Sequence, residues 1–212
     1  MKYHKINVNL FIKNRKKFVA MMKPNSVAFF NSNDIYPISA DSTLPFEQHR
    51  DIFYLSGIDQ EESVLMLCPN AGDSNYREVL FLKETNEHIA IWEGEKLTKQ
   101  QAFETSGIKT VFWTDEMEKI IESIVINCEN IYYNHNEHYR ANVEVETREE
   151  RFNKWIENKF PKKRKQRSNP ILQELRSVKE NIELELIQIA CNITNKGFKR
   201  VLNFVKDGVW EY

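Results

Sequence analysis

The feature that most constrains this chain is a series of short apolar runs, rich in β-branched and aromatic residues, each closed off by turn formers. They occupy residues 27–30, 52–55, 64–68, 79–82, 111–113 and 131–133. Asn, Asp, Ser, Gly or Pro bounds each run, as is usual for strands. Several lack strict alternation of polar and apolar residues, so the strands are expected to be covered on both faces by helices. Helical spacing of Phe11, Phe18, Val19 and Met22 predicts a helix over residues 7–22, closed by Pro24. Further helical segments are expected at 98–106, 115–127 and 147–159. The fold class that follows is α/β, a layered domain whose strands are flanked by helices.

Composition supports a folded chain. The 212 residues are 41% hydrophobic and 29% charged, with only 6 Gly and 6 Pro, enough apolar material for a buried core without staples. Lys and Arg number 30 against 31 Asp and Glu, a net charge of -1, so no global field favours nucleic acid or a membrane surface. No apolar run approaches the roughly 18 residues of a membrane span, and the first residues lack the apolar core of a signal peptide. A soluble, cytoplasmic protein is expected. Cys68, Cys128 and Cys191 are widely spaced, without a CxxC pair, and read as reduced thiols. Cys68 ends an apolar run and Cys191 lies in an apolar helix, so both are expected to be buried packing residues.

The expected organisation has three parts: a domain over 1–160, a basic linker over 161–170 and a new unit over 171–212. The stretch PKKRKQRSNP places two prolines around a basic run with no apolar residue between them. It suits a solvated linker, with a basic interaction patch as the rival reading. In the last segment, apolar positions such as Ile182, Leu184, Leu186, Ile187, Cys191, Phe198 and Leu202 cover much of a helix circumference. Such a helix is expected to lie among neighbours, and little chain remains to cover it.

A search for chemistry returns little. There is no Walker loop, GxGxxG, HExxH or GxSxG motif. His135 and His138 in NHNEH have metal-like spacing but no third ligand in view, and they read as an exposed loop. The carboxylates of NEHYRANVEVETREER suit a solvated surface.

One stretch is more specific. The segment DSTLPFEQHRDIFYLSGID resembles the marker of the N-terminal domain of Xaa-Pro aminopeptidases and their relatives in the creatinase and prolidase group. Four further stretches agree in order: AIWEGEKL, VFWTDEMEKII, ILQELRSVKENIELELIQIACNIT with Arg176 and Lys179, and VKDGVWEY, where Asp207 stands in place of the usual proline. The helix after Lys179 departs from the usual Lys-Ser or Lys-Asp opening, and Asn181 is the expected cap, with Glu183 and Glu185 in the first turn.

The resemblance implies a mixed β-sheet of about six strands flanked by helices over 1–160. Over 171–212 it implies the first helix of a catalytic pita-bread domain, the chain being truncated before that domain's chemistry. There, two Asp, one His and two Glu hold two divalent metals, commonly manganese, whose bridging hydroxide attacks the bond before proline. All those ligands would lie beyond Tyr212, so the resemblance assigns no catalytic residue and no metal ligand to this chain. Alone, it is expected to hydrolyse nothing. The family's N-terminal domain serves oligomerisation, as a dimer or tetramer, and shapes substrate access for proline-containing peptides. Two residues match positions that approach the substrate of a neighbouring subunit. Asp41 would pair with a peptide amino terminus, and Trp92 would offer a flat apolar wall. The plain alternatives are a turn residue for Asp41 and a core residue for Trp92. Rival readings are a prolidase or creatinase relative, or a pseudoenzyme used as a protein-binding module. Within the marker, Gln48, Arg50 and Asp51 are expected to satisfy polar groups where the chain enters a buried strand at Ile52.

Overall fold

The computed structural model describes residues 5–141 and 143–210. Its centre is a six-stranded mixed sheet in the order β6-β5-β4-β1-β7-β8. The strands are β1 (Ser26–Asn31), β4 (Val64–Leu67), β5 (Glu78–Leu82), β6 (Thr110–Trp113), β7 (Asn130–Tyr133) and β8 (Arg164–Arg167). β4 runs antiparallel to both β1 and β5, while β1, β7 and β8 are mutually parallel and β6 is parallel to β5. Five strands therefore point the same way, and the register aligns Asn31 with Val64 and Val64 with Phe81. The carboxyl-terminal ends of β1, β5, β6 and β7 thus share one end of the sheet. A two-stranded hairpin, β2 (Pro37–Ser39) with β3 (Ser42–Thr43), leaves from that end after β1.

Alternation along each strand divides the core into two layers. Ala28, Phe30, Leu65, Leu67, Leu80 and Leu82 face one side, and Val27, Phe29, Val64, Met66, Val79 and Phe81 the other. The first face is covered by α1 (Val8–Ala20), α2 (Arg50–Ser56), α4 (Lys99–Ser106) and α7 (Asn169–Ser177), which contribute Phe18, Ile52, Leu55, Ala102, Ile171 and Leu172. The second is covered by α5 (Met117–Val125) and α6 (Arg148–Lys159), through Ile121, Val125, Phe152 and Ile156. The sheet is therefore sandwiched, as the unbroken apolar runs require.

Two segments depart from the sequence expectations. Residues 52–55 are not a strand but the middle of α2. An apolar run this short does not discriminate strand from helix by itself; its ends decide. His49 caps the helix by accepting from the Asp51 amide at 3.3 Å. Gly57 closes it with φ 71°, its N–H donating to Phe53 O at 2.7 Å. The last carbonyls of α2 are met from α1: Asn14 Nδ2 donates to Tyr54 O at 2.9 Å and Arg15 Nη1 to Leu55 O at 2.8 Å. Arg15 is fully buried and pairs with Glu78 at 3.0 Å.

The second correction concerns the basic stretch. Residues 164–167 are not a solvated linker but β8, paired from Asn130↔Arg164 to Tyr133↔Arg167. Its side chains remain largely exposed, and Lys165 pairs with Glu157 at 2.7 Å. A charged strand of this kind suits a sheet edge, because it discourages a further strand from adding.

The chain divides into two compact units, one ending at Leu175 and the other starting at Arg176. The second contains α8 (Asn181–Phe204), whose N-cap is Glu180 rather than Asn181; Glu183 accepts from the Glu180 amide at 2.8 Å. Cys191, expected to be buried, is exposed, as are Leu184, Ile187, Phe198 and Leu202.

Candidate functional site

Parallel strands gather loops at their carboxyl-terminal ends, where sites in layered α/β folds are commonly built. Three features converge there. The first is the β2–β3 hairpin, closed by Leu44 N donating to Tyr36 O at 2.9 Å. Its tip is Ala40-Asp41, with Ala40 at φ 50°, and Asp41 is exposed. Ile38 and Leu44, before and after the tip in sequence, are exposed apolar side chains.

The second feature is α3 (Glu87–Glu93), the short helix that follows β5. Asn86 caps it, accepting from the Ile89 amide at 2.9 Å, and Gly94 ends it at φ 81°. Lys83 pairs with Glu93 at 2.8 Å, tying the helix to the end of β5. Trp92 is 79% exposed beside an exposed Ile91, which removes the core reading of Trp92. Asp41 and Trp92 thus lie on separate exposed elements that leave the same end of the sheet.

The third feature was not foreseen. A cavity of about 280 Å³, lined by Ser32, Tyr36, His49, Arg148, Glu149 and Glu150 among others, opens between the loop after β1 and the start of α6. Thr147 and Glu150 form a reciprocal capping box, and the Arg148 amide donates to Asp34 Oδ2 at 2.6 Å. The adjacent Glu149, assigned by its mixed-charge surroundings to a solvated surface, is instead buried. Burial pushes its carboxyl up to about 8, and the charge of Asp51 adds to this, while the Asn134 side chain and the Asn31 backbone pull downward. His49 lies between the two acids, with Nδ1 3.8 Å from Asp51 Oδ2 and Nε2 3.8 Å from Glu149 Oε2. Asp51 also accepts from Asn134 Nδ2 at 3.0 Å. Glu149 carries no sequence signal for burial; only the Thr147-x-x-Glu150 cap, which fixes where α6 begins, points toward it.

The marker segment is structural. Gln48 Nε2 donates to Ile58 O at 3.1 Å and to Gln60 O at 2.9 Å, and its Oε1 accepts from the His49 amide at 2.7 Å. Arg50, expected to join it in satisfying buried polar groups, is exposed. His135 and His138 are exposed loop residues, and among the described residues no group of three or more His, Cys, Asp or Glu is arranged to hold a metal ion. No helix among the described residues is long and apolar enough to cross a membrane.

The mixed six-strand sheet, sandwiched by helices and bearing a hairpin and a short helix at one end, is the N-terminal-domain fold of the aminopeptidase P class. The chain belongs to that family: the model for "Aminopeptidase P, N-terminal domain" matches residues 11–132, more than half of it. It is similar to the Xaa-Pro aminopeptidase of Escherichia coli, at 25% identity over 95% of this chain and 46% of that protein. It is also similar to Homo sapiens Xaa-Pro aminopeptidase 3, at 23% identity over 79% of this chain and 33% of that protein. A solved structure of a putative aminopeptidase P from Bacillus anthracis superimposes with a TM-score of 0.83 at 25% identity, covering 93% of this chain and 46% of that one. The low-pH form of E. coli aminopeptidase P gives 0.82 at 23% identity, over 99% and 48%. The chain therefore spans about half the length of the bacterial relatives it matches, and it is the N-terminal domain of an Xaa-Pro aminopeptidase-type protein.

Proposed function

We propose that this domain shapes substrate access and self-association for a metal-dependent enzyme that releases the residue before a penultimate proline. The observation that carries the reading is the exposure of Asp41 and Trp92 on two elements leaving the same end of the sheet. A carboxylate at a hairpin tip can pair with the free amino terminus of a peptide, and an exposed indole can flank a proline ring. Both would serve the active site of a neighbouring subunit in a dimer or tetramer. The two divalent metals, manganese by family resemblance, would be held by the half of the enzyme that this chain does not span. Relatives named as Xaa-Pro aminopeptidases support the peptide substrate class, and a solved E. coli aminopeptidase P is described as zinc-substituted and in complex with product. A cytoplasmic setting fits the three unbridged cysteines.

The chain by itself is expected to cleave no Xaa-Pro peptide when supplied with Mn²⁺. Metal-dependent release of the first residue by the purified chain would overturn the division of labour proposed here.

A further inference from the structure

Cys68 follows β4, and Cys128 lies in the turn between α5 and β7. They are 60 positions apart in sequence, yet their sulfurs are 3.7 Å apart inside the second core layer. Both are buried, with exposures of 2% and 6%. A disulfide bond measures about 2.0 Å, so each sulfur needs to move by less than about 1 Å to close it. The backbone on both sides is pinned: the Cys68 amide donates to Arg77 O at 2.9 Å and the Cys128 amide to Val125 O at 3.0 Å. Lys163 brings its ammonium to the same turn, donating to Cys128 O at 2.6 Å and Ile126 O at 2.8 Å.

We propose that Cys68 and Cys128 form a reversible disulfide on exposure to hydrogen peroxide, a redox clamp that ties β4 to β7 across the central strand β1. Cys128 is the attacking thiol. The Cys68 hydrogen bond and the Lys163 charge lower its pKa against burial, while the same hydrogen bond and burial raise that of Cys68. The Cys128 thiolate attacks one peroxide oxygen, an S–O bond forms, the O–O bond breaks, and the departing hydroxide becomes water with the proton that Cys128 released. The Cys68 sulfur then attacks the Cys128 sulfenic acid; the S–S bond forms, the S–O bond breaks, and the hydroxide leaves as water with the Cys68 proton. Two thiols and one peroxide give one disulfide and two waters, the two electrons passing from sulfur to the peroxide oxygens. The clamp lies at the amino-terminal end of β1, opposite the end that carries Asp41 and Trp92, so it changes the rigidity of the sheet and leaves those two residues in place.

The test uses the Cys191→Ser protein, which retains only this pair. After peroxide treatment and alkylation in denaturant, the expected product has lost about 2 Da and takes up no alkylating agent, with reductant restoring both thiols. A linked Cys68–Cys128 peptide is expected on digestion. Closing a loop of this length is expected to raise Tm by at least about 5 °C over the reduced protein. Lys163→Met is expected to slow closure several-fold, and an unchanged rate would remove Cys128 as the attacking thiol. Alkylation of both thiols after peroxide, or oxidation to sulfinic acid without a linked peptide, would overturn the clamp.

Discussion

Gly57 and Glu149 show how much depends on single residues. A Cβ at Gly57 would lie 2.3 Å from the Phe11 ring, and φ 71° already disfavours a side chain. Gly57→Ala is expected to cost about 2–4 kcal/mol through backbone strain and overpacking together, measurable as a lower urea midpoint. Glu149 acts through its proton. Its folded carboxyl titrates near 8, well above the usual carboxylate range. Between those two values the folded state holds a proton that the unfolded chain has released, so this group makes stability fall as pH rises from about 5 to 8. Glu149→Gln is expected to flatten that part of the profile and, at pH 8, to exceed the wild type by a few kcal/mol, on the order of 3. Denaturant titrations of both proteins across that range check it; parallel curves would place the charged carboxylate in a better-solvated setting than its burial indicates.

The marker segment behaves as a unit because Gln48 ties the start of α2 to the residues that follow it. Gln48→Ala leaves the Ile58 and Gln60 carbonyls without that donor and is expected to cost about 2 kcal/mol. This element also shows where the sequence was and was not legible. Helices with a complete cap, such as α4 behind Thr98 and α6 behind Thr147, begin where their residues say they should. Strands β1, β4, β5, β6 and β7 fall on the apolar runs at 27–30, 64–68, 79–82, 111–113 and 131–133. Residues 52–55 have strand-like composition, yet α2 forms because His49 caps it, Gly57 closes it, and Asn14 and Arg15, about 40 residues earlier, meet its last carbonyls. β8 escaped notice for the opposite reason: as a charged edge strand it has almost no apolar residue to announce it. Long-range partners contribute to both cases, Asn14 and Arg15 for α2 and β7 for β8, and the apolar pattern alone does not contain them.

At the scale of the molecule, the fold class was legible and the candidate site only partly so. Asp41 and Trp92 stood out by resemblance, while Glu149 was hidden because burial depends on how β1, α2 and α6 meet. In the second unit, α8 exposes Leu184, Ile187, Phe198 and Leu202, and we propose that this apolar stripe self-associates. Light scattering at increasing concentration is expected to show a rising mass for this chain, with Phe198→Glu and Leu202→Glu shifting it toward monomer. A constant monomer mass would count against the stripe as an interface.

The central claim is that the domain completes a peptidase active site with Asp41 and Trp92. Its most direct test is steady-state kinetics on an Xaa-Pro peptide, in a full-length protein that carries this domain, with metal content measured alongside. Asp41→Asn and Trp92→Ala are each predicted to lower kcat/KM by about tenfold or more, corresponding to about 1.4 kcal/mol, with bound metal unchanged. Unaltered kcat/KM in both variants would contradict the claim.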